Sequence, residues 1–471
     1  MKARDLLLII CSLVLGGPLA VAQPAPVKPN IIFILADDLG FAELGCNGSD
    51  RYKTPNIDAL AKAGVRFTRF YTAPLCGPSR ALILTGRYAF RTGAVSQDAC
   101  RALVRAGDKA ERMLPVVLRE AGYASALIGK WGQLSPSGSP ADWGFDHDFH
   151  FKGSGMYWNS RTARKLTPDG EVRGDPDSYV IDGKTYAVKD GEYIPDLLHK
   201  DATAWLEAHR HGPFFLYYSM SHVHGEILPT PDSAAAPAGE GNDARRRRLY
   251  DDNVAYMDKL VGKLMAELDR LKLRENTLIV FMGDNGTAKG NAAEATLGGR
   301  RLDGEKGSMK EGGALVPFFA TWPGVTPAGK VNVNCADASD LLPTFAEVAG
   351  APLPAGRVID GRSLVAQFKG ADTSPRAWAF CQLSNSYYVR EPGWKLDQGG
   401  TLYDMKDAPF KEVAVPADTK DAAALAARER LAAALAGLNP AAGIKDEVGD
   451  GSGRSGNKEE KKKGKKAKEA K

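Results

Sequence analysis

Beyond its first 22 residues the chain has no apolar run long enough to span a bilayer, no internal repeat and almost no net charge in its body. The formal charge of +5 belongs to the two ends. Eight Lys and one Arg against three Glu after residue 450 give the tail +6, and Lys2, Arg4 and Asp5 give the leader +1, leaving the body near −2. A folded basic surface for nucleic acid is therefore excluded as the source of the basicity. Cysteine is scarce as well: six in all, and five once Cys11 in the N-terminal apolar stretch is set aside. What remains is an ordinary globular composition, 44% hydrophobic and 25% charged over 471 residues, enough for a large core.

The N-terminus has the order of a secretory leader: Lys2 and Arg4, an apolar stretch from Leu6 to Leu15, then Ala20-Val21-Ala22 as a small-residue cleavage site. Residues 1–22 are expected to be removed, leaving an exported chain, periplasmic or secreted, with no membrane span. An odd cysteine in an exported protein asks for a chemical use, and Cys46, Cys100, Cys335 and Cys381 either form up to two bridges or stay reduced. Residues 441–471 turn to Gly, Ser, Lys and Glu and are expected to be a disordered, solvated tail.

Between the ends, Asn30–Ala36 is a continuous apolar run, as in a strand buried on both faces of a parallel sheet. Similar runs occupy Ala124–Ile128, Phe214–Tyr218 and Thr277–Met282. From Tyr250 to Leu273 the apolar residues Val254, Met257, Val261, Leu264, Leu268 and Leu271 recur at helical spacing. Thr54-Pro55 opens a further helix, with Thr54 as N-cap. The pattern predicts an α/β sandwich over residues 23–350, with a large, mostly parallel central sheet flanked by helices. A smaller C-terminal α+β subdomain is expected over 351–440, from short strands at Trp378–Leu383, Tyr387–Arg390 and Leu402–Asp404 and an Ala-rich helix, Asp421 to Leu438. Ligands of such sheets gather at the carboxyl ends of strands, where Asp37-Asp38 and Asp284-Asn285 stand.

The most informative segment is Leu75-Cys76-Gly77-Pro78-Ser79-Arg80-Ala81-Leu82-Ile83-Leu84-Thr85-Gly86-Arg87. Pro78 marks a helix's first turn, so Cys76 is aimed from a helix N-terminus, where free N–H groups favour an anion, and Arg80 adds a permanent cation. Here the sequence resembles the formylglycine-dependent sulfatases of the alkaline phosphatase superfamily: the whole Cys-x-Pro-Ser-Arg-x-x-Leu-x-x-Gly pattern is present, with Ile83 for the usual Leu. The likeness runs from Pro29-Asn30 through Thr401-Leu402-Tyr403-Asp404. It implies that a dedicated maturation enzyme oxidises Cys76 to formylglycine, whose hydrate is the nucleophile, which also accounts for the odd cysteine.

The resemblance further implies that Asp37, Asp38, Asp284 and Asn285, together with the modified Cys76, hold a divalent cation. These hard oxygen donors suit Ca²⁺ or Mg²⁺ rather than Zn²⁺. It makes Lys130, in Gly129-Lys130-Trp131, and Lys306, in the loop Gly304–Gly313, sulfate-binding lysines, Arg80 a further stabiliser of sulfuryl oxygens, and His224 the general acid. Two departures stand out: Gly132 replaces the histidine that follows Gly-Lys-Trp in the family, and Leu315 replaces an arginine. If Ser221–His224 is extended, His222 and His224 point to the same side, so His222 is expected to lie at the substrate and to stand in, at least in part, for the missing histidine; the alternative is that it only contacts substrate or packs locally. The His-x-His spacing also occurs in zinc sites, but no third nitrogen or sulfur ligand accompanies it.

The substrate is accordingly a sulfate ester, of a glycan in preference to a small aryl group, with Tyr157-Trp158, Lys165–Tyr193 and Asn385–Tyr388 as expected pocket walls. Two alternatives stay open at this point: a phosphonate monoester or phosphodiester hydrolase of the same superfamily, and a non-catalytic, exported binder of polyanions.

Overall fold

The computed structural model describes residues 28–153, 157–167, 169–172 and 177–447. The expected leader, and all of the expected tail after residue 447, lie outside them.

Five parallel strands make the centre of a ten-stranded sheet. In chain order they are β1 (Asn30–Ala36), β2 (Ala124–Gly132), β3 (His147–Lys152), β4 (Phe214–Met220) and β5 (Thr277–Gly283). They lie side by side as β5-β1-β4-β2-β3. Every residue of β1 is buried, because its side chains alternate between two apolar layers. Ile31, Phe33 and Leu35 enter one layer, and Ile32, Ile34 and Ala36 the other. Helix α1 (Cys76–Thr85) packs in the first layer, and α2 (Asn242–Arg270) covers the second. Phe318–Thr321 and Tyr179–Ile181 flank the parallel core antiparallel to it, so the sheet is mixed at its margins.

Four of the five core strands run as far as their apolar runs do, or a few residues further; β3, with His147, Asp148 and His150 in it, had no such run in the sequence. Helix α2 begins eight residues before the apolar periodicity, at Asn242 rather than Tyr250. The added turns carry Arg245–Arg248, whose side chains reach Leu166 O, Gly290 O, Glu294 and Glu240, so polar contacts rather than an apolar stripe hold them. The helix predicted from Thr54-Pro55 is present as Pro55–Lys62, but Thr54 makes no side-chain cap; its hydroxyl donates to Asp58 Oδ1 at 2.9 Å and accepts from Gly45 N at 3.0 Å.

Toward the C-terminus a separate five-stranded antiparallel sheet forms, and helix α3 (Ala422–Leu438) packs on it. Asp421 caps α3 by accepting from Ala423 N at 2.9 Å. Two of the strands, Trp394–Asp397 and Val413–Ala414, had no signal in the sequence pattern. Cys46, Cys76, Cys100, Cys335 and Cys381 are all free thiols. No helix among the described residues is long and apolar enough to cross a membrane.

Candidate active site

β1 ends at Asp37 and Asp38, and the turn beyond it is tight: Asp38 takes a left-handed backbone (φ 60°), which Asp adopts more readily than most residues. Adjacent β5 delivers Asp284 and Asn285 to the same level, with Asp284 N donating to Ala36 O at 2.9 Å and Asp38 N to Asp284 Oδ1 at 3.0 Å. Asn285 Nδ2 donates to Asp38 Oδ1 at 2.9 Å. Gly286 follows because its backbone lies against Gly312, where a Cβ would come within 1.8 Å of the carbonyl oxygen. All four groups are fully or almost fully buried.

Cys76 is the first residue of α1. Its Sγ lies 3.4 Å from Asp37 Oδ1 and 3.6 Å from Asp38 Oδ1. Burial, and then the negative charge of Asp284, push its thiol well above the ordinary range, so it stays protonated at neutral pH. One turn on, Arg80 is buried, with Nη2 2.8 Å and Nε 3.2 Å from Asp284 Oδ2 and Nη1 donating to Lys130 O at 2.8 Å and Ser219 Oγ at 2.6 Å. It therefore ties α1, β2, β4 and β5 together beneath the reacting position.

Two buried lysines cover the carboxylates. Lys130 Nζ contacts Asp37 Oδ2 at 2.5 Å, and Lys306 Nζ contacts Asp38 Oδ2 at 2.7 Å. Burial works against charge at Asp38, but Lys306, His224 and Lys130 outweigh it and hold that carboxyl far below its usual range. At Asp284, burial and the repulsion of Asp37 win over Arg80, and the carboxyl is pushed up.

His224 Nε2 lies 3.9 Å from Asp38 Oδ2, and 17% of the side chain remains exposed, so it faces the open side of the cluster. Burial, then the charge of Lys130, hold its imidazole neutral, down to about 3. His222 is placed otherwise. Ser221–His224 is a turn, held by Asp37 N donating to His222 O (2.8 Å) and Val223 N donating to Asp37 O (2.6 Å), so the extended chain that would aim both rings alike does not form. The His222 ring is fully buried among Tyr157, Tyr193 and Tyr256, with Nε2 3.1 Å from Tyr193 Oη. It is a packing residue under the loop that carries His224, which corrects the expectation that it reaches the site.

Of the expected pocket walls, several aromatic side chains are buried, while Asn385 is exposed and Ser386 and Tyr387 are half-buried. Tyr157 and Trp158 are buried, with Tyr157 Oη donating to His224 O at 2.9 Å and Trp158 Nε1 to Pro229 O at 2.9 Å. Tyr388 is buried against Lys395. Residues 168 and 173–176 of the segment Lys165–Tyr193 lie outside the described residues.

Gly132 has φ +63°, and a Cβ there would lie 3.0 Å from Lys130 Cε. A side chain at 132 would thus crowd the buried lysine. Ser219 and Glu43 belong to the site's support and were not foreseen. Ser219 Oγ bridges Arg80 and Lys130 O, the latter at 2.8 Å. Glu43 Oε1 accepts from Thr287 Oγ1, and Thr287 O accepts from Lys306 N at 2.9 Å. Neither stands in a recognisable motif, and only the periodicity of β4 hints that Ser219 lies at a strand end.

The donor set fits a divalent cation. Ligand atoms of Asp37, Asp38, Cys76 and His224 lie within 4.8 Å of one another, and Asn285 Oδ1 is buried with no hydrogen-bond partner, as a carbonyl oxygen meant for a cation would be. The bound cation would supply Lewis-acid polarisation of an oxyanion's oxygens.

Known proteins supply the comparison. The family model described as Sulfatase matches residues 29–351. Arylsulfatase D of Homo sapiens is 32% identical over 453 residues, covering 79% of this chain and 73% of that protein. N-acetylgalactosamine-6-sulfatase of Mus musculus is 34% identical over 384 residues, covering 77% and 69%. Among solved structures, that of Ps i-CgsB in complex with k-i-k-neocarrahexaose superposes with a TM-score of 0.72 at 29% identity, over 89% of this chain and 96% of that one.

Proposed function

The chain belongs to the sulfatase family and is an enzyme that hydrolyses sulfate esters, and from that premise we propose that its substrates are sulfated glycans and that Cys76 acts as formylglycine. The observation that carries the mechanism is the position of Cys76 at the start of α1, 3.4 Å from Asp37 and 3.6 Å from Asp38, with a buried lysine on each carboxylate. A protonated, buried thiol is a poor nucleophile, whereas an aldehyde hydrate at the same place offers a hydroxyl to attack with and a second to expel the sulfate.

The chain's own residues divide the remaining work. Lys130 and Lys306 bind the sulfuryl oxygens, exchanging part of their hold on Asp37 and Asp38 for the substrate anion. Arg80 positions Asp284 and the strand ends and reaches Asp37 at 3.7 Å. Asp37, Asp38, Asp284 and Asn285 hold Ca²⁺ or Mg²⁺. His224 gives a proton from Nε2 to the departing alcohol oxygen; the bound sulfate's negative charge raises the proton affinity of a ring that is otherwise neutral.

Support for a glycan comes from the relatives, one of them named for N-acetylgalactosamine 6-sulfate and another solved with a neocarrahexaose. The leader-like residues 1–22 support export to the periplasm or beyond, and formylglycine at Cys76 requires a maturation enzyme as partner. Mass spectrometry of the tryptic peptide ending at Arg80 tests the nucleophile: sulfur should be lost and a carbonyl-reactive group gained. Fully active enzyme with an intact thiol there would overturn the reading. Release of sulfate from defined sulfated oligosaccharides, set against matched phosphate esters and nitrophenyl sulfate, tests the substrate class.

A further inference from the structure

At the end of α1 remote from Cys76 the chain forms a cleft of about 350 Å³, lined in part by Tyr88, Arg91, Asp360, Arg362, Arg376 and Trp378. Ten residues of helix separate the two places, a rise of about 15 Å. The cleft is anchored to that far end by Asp360 N, which donates to Gly86 O at 3.0 Å. It shares no residue with the carboxylate cluster, and the chemistry at Cys76 gives it no role.

Its acids are sunk and fully engaged. Asp337 and Asp340 have no exposed side-chain surface and are both bound by Arg376. Asp360, 3% exposed, accepts from Tyr88 N at 2.8 Å and from Arg91 Nε at 2.9 Å. The donors are only partly used. Arg91 is held through Nε, and its two terminal nitrogens have no acceptor among the described residues. Arg362 is exposed, and its guanidinium has no partner among the described residues. The Arg376 side chain is only 5% exposed, yet its Nε is buried with no acceptor. Trp378, half-buried, adds a flat wall, with the Arg376 guanidinium 6.0 Å from its ring centroid.

Guanidinium forks match the paired oxygens of sulfate and carboxylate groups, and they hold such oxyanions more selectively than point charges do. An indole offers a broad apolar face with a polar edge, suited to the C–H face of a sugar ring. The volume suits a single small ligand unit rather than a polymer wound on itself. We propose that this cleft is a second, non-catalytic binding site for an anionic saccharide unit, its sulfate or carboxylate group held by Arg91, Arg362 and Arg376 and its ring laid against Trp378. A site of this kind would keep the enzyme on a charged glycan while ester groups elsewhere on the chain reach Cys76. The inference does not depend on the proposed nucleophile or on which ester is cleaved.

The test uses the full chain with Cys76→Ala, so that no ester is consumed, labelled with 5-fluorotryptophan; Trp378→Phe assigns the Trp378 resonance. Galactose 6-sulfate, glucuronate, galactose and inorganic sulfate are titrated in turn. The proposal expects both charged sugars to shift the Trp378 signal saturably, galactose to leave it unmoved, and Arg362→Gln to weaken the charged sugars about tenfold, with partial recovery in Arg362→Lys. Arg362 and Trp378 touch nothing in the catalytic cluster, so each single variant on the wild-type Cys76 background should desulfate a small ester at the normal rate. Three results would overturn the proposal: no saturable shift with either charged sugar, galactose binding as tightly as its sulfate, or inorganic sulfate saturating the signal at the same concentration as the sulfated sugar, which would make this a site for a free anion only.

Discussion

Glu43 offers a test in which the sign of an effect separates two accounts of one buried carboxyl. It has no exposed surface, and among the described residues no lysine or arginine is bonded to it. Oε1 accepts from Thr287 and from Tyr250 Oη at 3.3 Å, while Oε2 is buried without a partner. Burial outweighs those hydrogen bonds, and the negative charge of Asp38 adds to it, so the carboxyl is pushed up to about 7 from an ordinary 4.5. Between those two values the native state keeps a proton that the unfolded chain has lost. Stability therefore falls as pH rises through that window and is flat above it. The displacement corresponds to about 3 kcal/mol when fully expressed. Glu43→Gln keeps the shape and an oxygen for Thr287 but has no charge to bury. It should match the wild type near pH 5 and exceed it by up to about 3 kcal/mol at pH 8. Urea midpoints at pH 5, 6, 7 and 8, taken in chelator so that no cation near Asp38 alters the field, measure the difference. Parallel pH profiles for the two proteins, or a Gln variant less stable than wild type at pH 8, would refute the account of an uncompensated buried acid. Because the Thr287–Lys306 backbone contact is untouched, kcat on a small ester should change only a few-fold.

The catalytic cluster makes equally definite demands. Lys306→Ala should lower kcat about 10²–10³-fold with the fold intact, read from sulfate release beside an unchanged circular dichroism spectrum. Asp284→Ala leaves the Arg80 guanidinium buried without its best partner and should cost about 3–5 kcal/mol in a urea titration; its activity should not respond to added Ca²⁺, whereas chelated wild type should recover. His224→Ala should slow sugar sulfates about 10²–10⁴-fold and nitrophenyl sulfate far less, since only the poor leaving group needs the proton. His222→Phe, by contrast, should keep kcat within a few-fold on both substrates, and a burst of nitrophenol followed by stalled turnover would show that His222 does catalytic work after all.

The parts of the structure legible in the sequence were those where one chemical demand acts on neighbours in the chain. β1 could be read because a parallel strand covered on both faces must be apolar at every position, and Asp37-Asp38 could be read because they interrupt that run abruptly. The start of α1 could be read because Pro78 fits a helix's first turn, whereas its end, at the left-handed Gly86, was not marked in advance. The short marginal strands, such as Val65–Phe67 and Lys184–Thr185, could not, since two or three residues carry too little periodicity.

His222 failed for a different reason. The alternation of side chains along an extended segment is a sound rule, but it presumes that the segment is extended. Here the backbone of Asp37 takes both a donor and an acceptor from residues 222–223, turning the chain, and Tyr193 then offers the ring a partner away from the site. Both determinants come from far off in the sequence. Arg80 and Asp284 are 204 residues apart and still could be placed at one site, though not paired with each other, because each end belongs to a motif of its own. Glu43 and Thr287, 244 apart, and Arg376 with Asp337 and Asp340 belong to none. Chemistry assembled entirely from tertiary contacts leaves no local pattern. The lone acid at Glu43 and the guanidinium cleft at Arg376 are buried charge arrangements of this kind, and no motif announces either.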